Sequence, residues 1–283
     1  MSPPSVVSGI RRAAARALRH LPYGIRLLDV YESWRTDVYL ISFPKCGRMW
    51  LVVMIGKLLQ IRFHLPDDID ITDIAMFPEY NKNSPRIQPT HTGAHPTFST
   101  PDQMKRIPRK YLSHKTIFLV RDPRDSIVSQ YFRNKPRYHK PIRDWLSEYP
   151  EAFMTALTFY DTWSKEMNKY KKNILLVRYE DLHAEPEKQL KRITDWLPIK
   201  NVTDHEIKQS VEFASLQHMQ KLEKKGHFDR IKKSNNDYAY HHVRKGQMGE
   251  YKEVLPADII EEWNCLMKRM LPAVYGYKPC RRD

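Results

Sequence analysis

Three short stretches of this chain gather the groups that hold anions. Lys45 and Gly47 directly follow an apolar run, Val38-Tyr39-Leu40-Ile41-Ser42, and precede a helical pattern that starts at about Arg48. Backbone N–H groups at a helix amino terminus lack intrahelical partners and attract negative charge. A glycine there lets the backbone approach a phosphate, and a lysine adds a full positive charge. Arg121 follows a second apolar run, with Pro123 suited to a first helical position and Ser129 further along the same helix. Together Arg121 and Ser129 offer a charge and a hydroxyl to a second phosphate. Arg244-Lys245-Gly246, with Gly249 behind it, is a cation pair beside permissive backbone, the makings of an anion clamp. Each stretch alone also has a plainer reading. These are a surface lysine in a strand-to-helix turn, an ion pair of Arg121 with Asp122 or Asp125, and a solvated basic loop. The first turn is not a Walker A loop, because GxxxxGK[ST] occurs nowhere in the chain.

Short apolar runs alternate with longer periodic stretches, which predicts an α/β fold with a central parallel β-sheet flanked by helices in three layers. The expected strands are Val38–Ser42, Lys115–Val120 and Ile174–Val177. Helices are expected from about Arg48 to Leu59, after Asp122-Pro123, and from about Pro186 to Trp196. Three times a strand ends at a polar turn before a helix, and ligands of open α/β sheets bind at the carboxyl ends of the strands. Residues 60–110 are rich in Pro, Asp and His and predict long loops with short helices, while residues 222–248 are basic and poor in large aliphatics. Residues 37–283 are expected to form one domain, preceded by a basic extension over residues 1–36 that is helical and packs on it.

In order and spacing these stretches resemble the cytosolic-type sulfotransferases, and bacterial members of that family most. The family's [YF]PKSGTTW loop stands here as Phe43-Pro44-Lys45-Cys46-Gly47-Arg48-Met49-Trp50. Its RxPRDxxxS element is met by Arg121 through Ser129, and its late RKGxxGDWK by Arg244-Lys245-Gly246-Gln247-Met248-Gly249-Glu250-Tyr251-Lys252. Arg178-Tyr179-Glu180-Asp181-Leu182 matches its RYEDL, and Ser215-Leu216-Gln217-His218-Met219 its SFxxM. The resemblance spans about residues 37–255. It implies a P-loop-NTPase-like fold and transfer of a sulfonate from 3′-phosphoadenosine 5′-phosphosulfate (PAPS) to a hydroxyl or amine, releasing 3′-phosphoadenosine 5′-phosphate (PAP). It assigns Lys45, Cys46, Gly47, Arg48, Met49 and Trp50 to the 5′ loop. It places Trp50, Tyr179, Leu216 and Met219 at adenine, and Arg121, Ser129, Arg244, Lys245 and Gly246 at the 3′-phosphate. Arg48 and Met49 replace two threonines, and Leu216 replaces an aromatic. The family's base lies in a KTHLP-like stretch, here Gln88-Pro89-Thr90-His91-Thr92-Gly93-Ala94-His95, where His91 aligns best and His95 is the competitor. A histidine near neutral pKa suits that task, and a lysine at the phosphosulfate bridge suits leaving-group stabilisation. In the family the serine at Ser129 also holds the lysine away from the bridge until acceptor arrives.

Composition sets the outer bounds. A balance of 48 Lys+Arg against 33 Asp+Glu, formally +15, favours an anionic partner. A small molecule or a glycan is the expected acceptor. A nucleotide kinase would carry a Walker A loop. A nucleic-acid binder would interleave aromatics with a basic stripe, and the run Lys224, Lys225, Arg230, Lys232, Lys233 is expected to be solvated instead. Cys46, Cys265 and Cys280 form no CxxC pair, so neither a disulfide framework nor a zinc site is expected, no metal is called for, and a reducing, cytoplasmic location follows. No run approaches the roughly 18 apolar residues that span a bilayer. Arg11, Arg12, Arg16, Arg19 and Arg26 precede the first acid, Asp29, so the amino terminus could also touch a membrane surface. Aromatics in or beside 62–110, 134–148 and 222–243, among them Phe98, Tyr131, Phe132 and Tyr238, are expected around the acceptor. Oligomeric state is left open.

Overall fold

The computed structural model describes residues 24–226 and 243–277. The Arg-rich stretch before residue 24, and Tyr238 within the basic 222–248 region, lie outside the described residues. In chain order the elements are α1 (Gly24–Arg35), β1 (Val38–Ser42), α2 (Arg48–Arg62), β2 (Ile87–Thr90), α3 (Pro101–Met104), α4 (Arg109–Ser113), β3 (Lys115–Val120) and α5 (Pro123–Tyr138). There follow α6 (Ile142–Glu148), α7 (Ala152–Met167), β4 (Ile174–Arg178), α8 (Tyr179–Ala184), α9 (Pro186–Trp196), α10 (Asp204–Phe213), α11 (Leu216–Lys224), α12 (Tyr251–Val254) and α13 (Ala257–Met270). The four strands are all parallel in the order β2-β1-β3-β4.

β1 is buried at all five positions, as expected of a parallel strand covered on both faces, which needs a continuous apolar run rather than an alternation. α2 packs on α10, while α5 and α13 pack on α7. Phe118 of β3 stacks on Trp163 of α7 at 4.8 Å, and Phe153 of α7 stacks on Trp263 of α13 at 3.9 Å. These aromatic pairs fasten the helices to the sheet and to each other.

Residues 60–110 depart from the expected run of loops and short helices. They contain the edge strand β2, Ile87-Gln88-Pro89-Thr90. Proline donates no hydrogen bond, so within sheets it is confined to edges and bulges, and that residue hides the strand from a propensity reading. Register then places the ends of the strands together. Ile41 pairs with Thr90, Ser42 with Leu119, and Val120 with Arg178. His91, the Phe43–Gly47 turn, Arg121 and Tyr179 consequently leave the sheet along one edge.

Candidate active site

The turn after β1 is shaped by two left-handed residues, Lys45 (φ 67°) and Gly47 (φ 84°). Only the second is glycine, and a bulky residue in this region is held there by its surroundings. One such constraint is Arg121, whose Nη1 donates to Lys45 O at 3.2 Å. Gly47 is required twice over. Beyond its φ, a Cβ there would lie 2.5 Å from Tyr179 Cδ2. Cys46 points inward, fully buried, with Sγ 3.2 Å from Tyr160 Oη. Burial raises its thiol pKa, so it packs the loop rather than reacting.

Arg121 is 7% exposed and lies with its guanidinium carbon 4.5 Å from the centre of the Tyr179 ring. Its Nη2 donates to Gln247 O at 2.8 Å, and its Nε has no hydrogen-bond partner among the described residues. Its backbone is clamped by Tyr160, whose Oη accepts from Arg121 N at 3.2 Å and donates to Arg121 O at 2.9 Å. The second arginine of the motif, Arg124, does other work. It pairs with Asp122 at 2.6 Å, donates to Asn264 and lies over the Tyr251 ring. Asp125 accepts from the N–H groups of Gly249 at 2.7 Å and Tyr251 at 3.1 Å. Arg124 and Asp125 thus fix the late Arg244–Gly249 segment against α5. Arg244 pairs bidentately with Glu250 and lies 4.1 Å over the Phe132 ring, while Lys245 is 3.8 Å from the same carboxylate. The expected Arg121 pairing with Asp125 exists only loosely, at 3.9 Å.

Trp50 Nε1 donates to Ala214 O at 2.8 Å, and its ring meets Tyr179 edge-on at 5.8 Å. Tyr179 Oη donates to Gly246 O at 3.1 Å, joining β4's end to the late segment. Glu180, next in the chain, accepts from Asp122 N at 2.9 Å and Tyr277 Oη at 2.8 Å, so half of Arg178–Leu182 braces the site from behind. Met219 is buried and Leu216 is 41% exposed.

His91 Nδ1 lies 2.8 Å from Ser42 O. A carbonyl can only accept, so the neutral ring carries its proton on Nδ1 and presents a bare Nε2. Burial first, then the Arg48 charge, lowers its pKa to about 3. Burial and the neighbouring Arg133, Arg121 and Arg244 lower Lys45 to about 7. His95 instead stacks on Phe98 at 4.5 Å and holds Thr97 through Nδ1. Ser129 lines the cavity but makes no hydrogen bond with Lys45 among the described residues.

One cavity of about 670 Å³ unites these groups. Its walls include Lys45, Gly47, Arg48, Met49, Trp50, His91, Arg121, Ser129, Tyr179, Leu216, Met219, Arg244, Lys245 and Gly246. The buried Cys46 is the single 5′-loop residue absent from the wall. Reading the chain missed Arg133, His183 and Gln247, which also line it. The signal for Arg133 was present, since it lies one turn beyond Ser129 on α5, where i and i+4 share a face. Tyr131, expected near an acceptor, is 5% exposed and packs on Trp145. Phe132 lines the cavity, though it lies beneath Arg244. Among the described residues no group of His, Cys, Asp and Glu could hold a metal ion, and no helix is long and apolar enough to cross a membrane.

The cavity suits an adenine nucleotide with two anionic ends. Its wall brings Arg121, Arg244, Lys245 and Lys45 together with the start of α2 and with the edge-on rings of Trp50 and Tyr179. Comparison with known proteins agrees. Cytosolic sulfotransferase 10 of Arabidopsis thaliana is 24% identical over 277 residues, covering 85% of this chain and 80% of its own. Mouse sulfotransferase 2A1 is 28% identical, covering 76% and 77%. Among solved structures, mouse sulfotransferase SULT7A1 complexed with PAP has a TM-score of 0.58 at 21% identity, covering 86% and 87% of the two chains. A retinol dehydratase in complex with androsterone and PAP has a TM-score of 0.57 at 18% identity, covering 88% and 83%. A family model for the sulfotransferase domain matches residues 35–274, and the chain therefore belongs to the PAPS-dependent sulfotransferases.

Proposed function

We propose that His91 is the general base of sulfonate transfer and that the acceptor is a hydroxyl or amine of a small molecule or glycan. One observation carries this reading: the Nδ1–Ser42 O contact of 2.8 Å aims an unprotonated Nε2 from the end of β2 toward the cavity that Lys45 enters from β1. The rival, His95, is occupied by Thr97 and Phe98 and is not part of the cavity wall.

The donor supplies an activated sulfonate on a phosphate leaving group. The protein's own residues do the rest. Arg121, Ser129, Arg244, Lys245 and Gly246 hold the 3′-phosphate. The N–H groups at the start of α2, with Lys45, hold the 5′ end, and Trp50, Tyr179, Leu216 and Met219 flank adenine. The fit rests on Arg121 Nε, which has no partner among the described residues, and on the charges of Arg133, Arg121 and Arg244 that, after burial, lower the Lys45 pKa. Such a cluster asks for anionic charge. His91 Nε2 takes the acceptor proton, and Ser42 O stabilises the imidazolium through Nδ1–H. An imidazole at about pKa 3 is a weak base; the anionic donor beside it raises that value by stabilising the protonated ring.

The test is His91→Ala. Turnover should fall by about 10²–10⁴-fold, the usual contribution of general base catalysis. PAP binding, measured calorimetrically, should stay within about twofold. Near-normal turnover in this variant removes His91 from the mechanism, and loss of turnover in His95→Ala alone transfers the role.

A further inference from the structure

Arg48 is a cation of the cavity wall that the donor's two phosphates leave over. In the reading above, Arg121, Arg244 and Lys245 serve the 3′-phosphate, while Lys45 and the loop N–H groups serve the 5′ end. Arg48 occupies the first position of α2, directly after the left-handed Gly47. Its Nη1 is buried and has no hydrogen-bond partner among the described residues. Leaving a buried charged donor unpaired is costly, so a site that keeps one has an acceptor to meet. Its charge is the largest electrostatic influence on His91, whereas the charges acting most on Lys45 belong to Arg133, Arg121, Glu223 and Arg244. Arg48 and His91 also share the cavity wall. The guanidinium therefore acts on the base within one cavity.

In-line transfer defines what passes there. The acceptor oxygen sits at His91 Nε2, and the leaving oxygen sits at Lys45. Sulfur lies between them, with three non-bridging oxygens directed sideways. We propose that Arg48 binds those non-bridging oxygens, forming an oxyanion subsite for the sulfonate in flight that is separate from both phosphate sites. The inference rests on the sulfonate-transfer reading. In the step itself the acceptor oxygen bonds to sulfur and gives its proton to Nε2. The bond from sulfur to the bridging oxygen breaks, and its electron pair stays on the 5′-phosphate of PAP. Arg48 neither gains nor loses a proton; at a pKa of about 10 it is charged throughout the working range. A threonine at this position supplies one neutral donor, while arginine supplies a charged fork, roughly twice as strong per hydrogen bond.

PAP and PAPS differ only in the sulfonate, which makes the test direct. Arg48→Met and Arg48→Lys in the full chain would be titrated with PAP by calorimetry and with PAPS, without acceptor, by competition against PAP. Turnover would be measured alongside. The expected result is PAP affinity within about twofold, PAPS affinity lowered about tenfold, and acceptor KM unchanged. The fall in kcat should be on the order of 10²-fold, as for removal of one oxyanion-hole donor. PAP binding doubles as the folding check, and the Lys variant carries the comparison where Met does not fold. Equal losses for PAP and PAPS would make Arg48 a phosphate ligand and overturn the proposal. A raised acceptor KM at constant kcat would overturn it in favour of an anionic group on the acceptor, and no change at all would leave Arg48 without a role. Failure of the wild-type protein to bind PAP would instead sink the sulfonate-transfer reading itself.

Discussion

Lys45 ties donor binding to pH in a way that can be measured. Burial and the charges of Arg133, Arg121 and Arg244 bring its pKa down to about 7, against a weaker upward pull from Glu223. A bisphosphate bound in the cavity replaces that repulsion with attraction and returns the group toward its ordinary value of 10.5. Binding therefore takes up a proton wherever Lys45 is neutral in the free protein. Below about pH 7 the lysine is already charged, so affinity does not depend on it. Above that point affinity falls about tenfold per pH unit, or about 1.4 kcal/mol, until the pKa of the complex is reached. Between about pH 7 and about pH 9 the loss is then roughly 100-fold. On the acid side the ligand's own phosphate, with its second pKa at about 6, sets the opposite limb. His91 also gains a proton more readily beside an anion, but only below about its ordinary 6.5, so the alkaline window isolates Lys45. Calorimetry of PAP at about pH 7.5 and about pH 8.5, in buffers of different ionisation enthalpy, should show uptake approaching one proton at the higher pH. Lys45→Met should bind more weakly near neutrality and lose both the slope and the uptake. Flat affinity across this window, or uptake that persists in Lys45→Met, would refute the assignment of the low pKa to Lys45.

Gly47→Ala should lose PAP binding and about 1–3 kcal/mol of stability by urea denaturation, from strain at φ 84° and the 2.5 Å approach to Tyr179. Binding that survives unchanged would mean the 5′ loop tolerates another shape. Tyr160→Phe leaves the buried N–H and C=O of Arg121 without their shared hydroxyl. It should cost about 1–3 kcal/mol and weaken PAP together with it, read by thermal shift with and without ligand. Asp125→Asn keeps the shape but halves the acceptor capacity facing Gly249 N and Tyr251 N. PAP affinity should fall while turnover at saturating donor changes little, and a pure kcat effect would count against its bracing role.

The sheet's middle was legible because buried parallel strands are nearly continuous apolar runs, and Val38–Ser42, Lys115–Val120 and Ile174–Arg178 have no competing periodicity. β2 was not legible. An edge strand of four residues with a proline at its third position carries neither the length nor the composition of a strand. The consequence is functional, because only the pairing of Ile41 with Thr90 explains why His91 stands beside Ser42. Motif order could nominate His91 over His95. The reason the geometry favours it is a register, and a register is a long-range fact. Arg133 was missed for a different reason. It falls outside every motif, and its importance comes from lining the same cavity, where its charge acts on Lys45 and His91.

The arginines of the Arg121–Asp125 element show how similar residues acquire opposite tasks. Arg124 has Asp122 at 2.6 Å, Asn264 and the Tyr251 ring, and is 2% exposed. Its charge is met inside the protein, so it holds structure and has little left for a ligand. Arg121 is nearly as buried, but its nearest carboxylate is 3.9 Å away and already accepts two backbone N–H groups. Its other contacts are backbone oxygens and an aromatic face. Those partners orient a guanidinium without neutralising it. The same distinction separates Arg178, paired with Asp181 at 3.0 Å, from Arg48, which has no acid among the described residues. Formal charge alone could not sort them, since all four sit at strand ends or helix starts. What sorts these four is where the acids went: Asp122, Asp125 and Glu180 cap and brace the turns, and the two left without a close acid, Arg121 and Arg48, are the two that line the cavity.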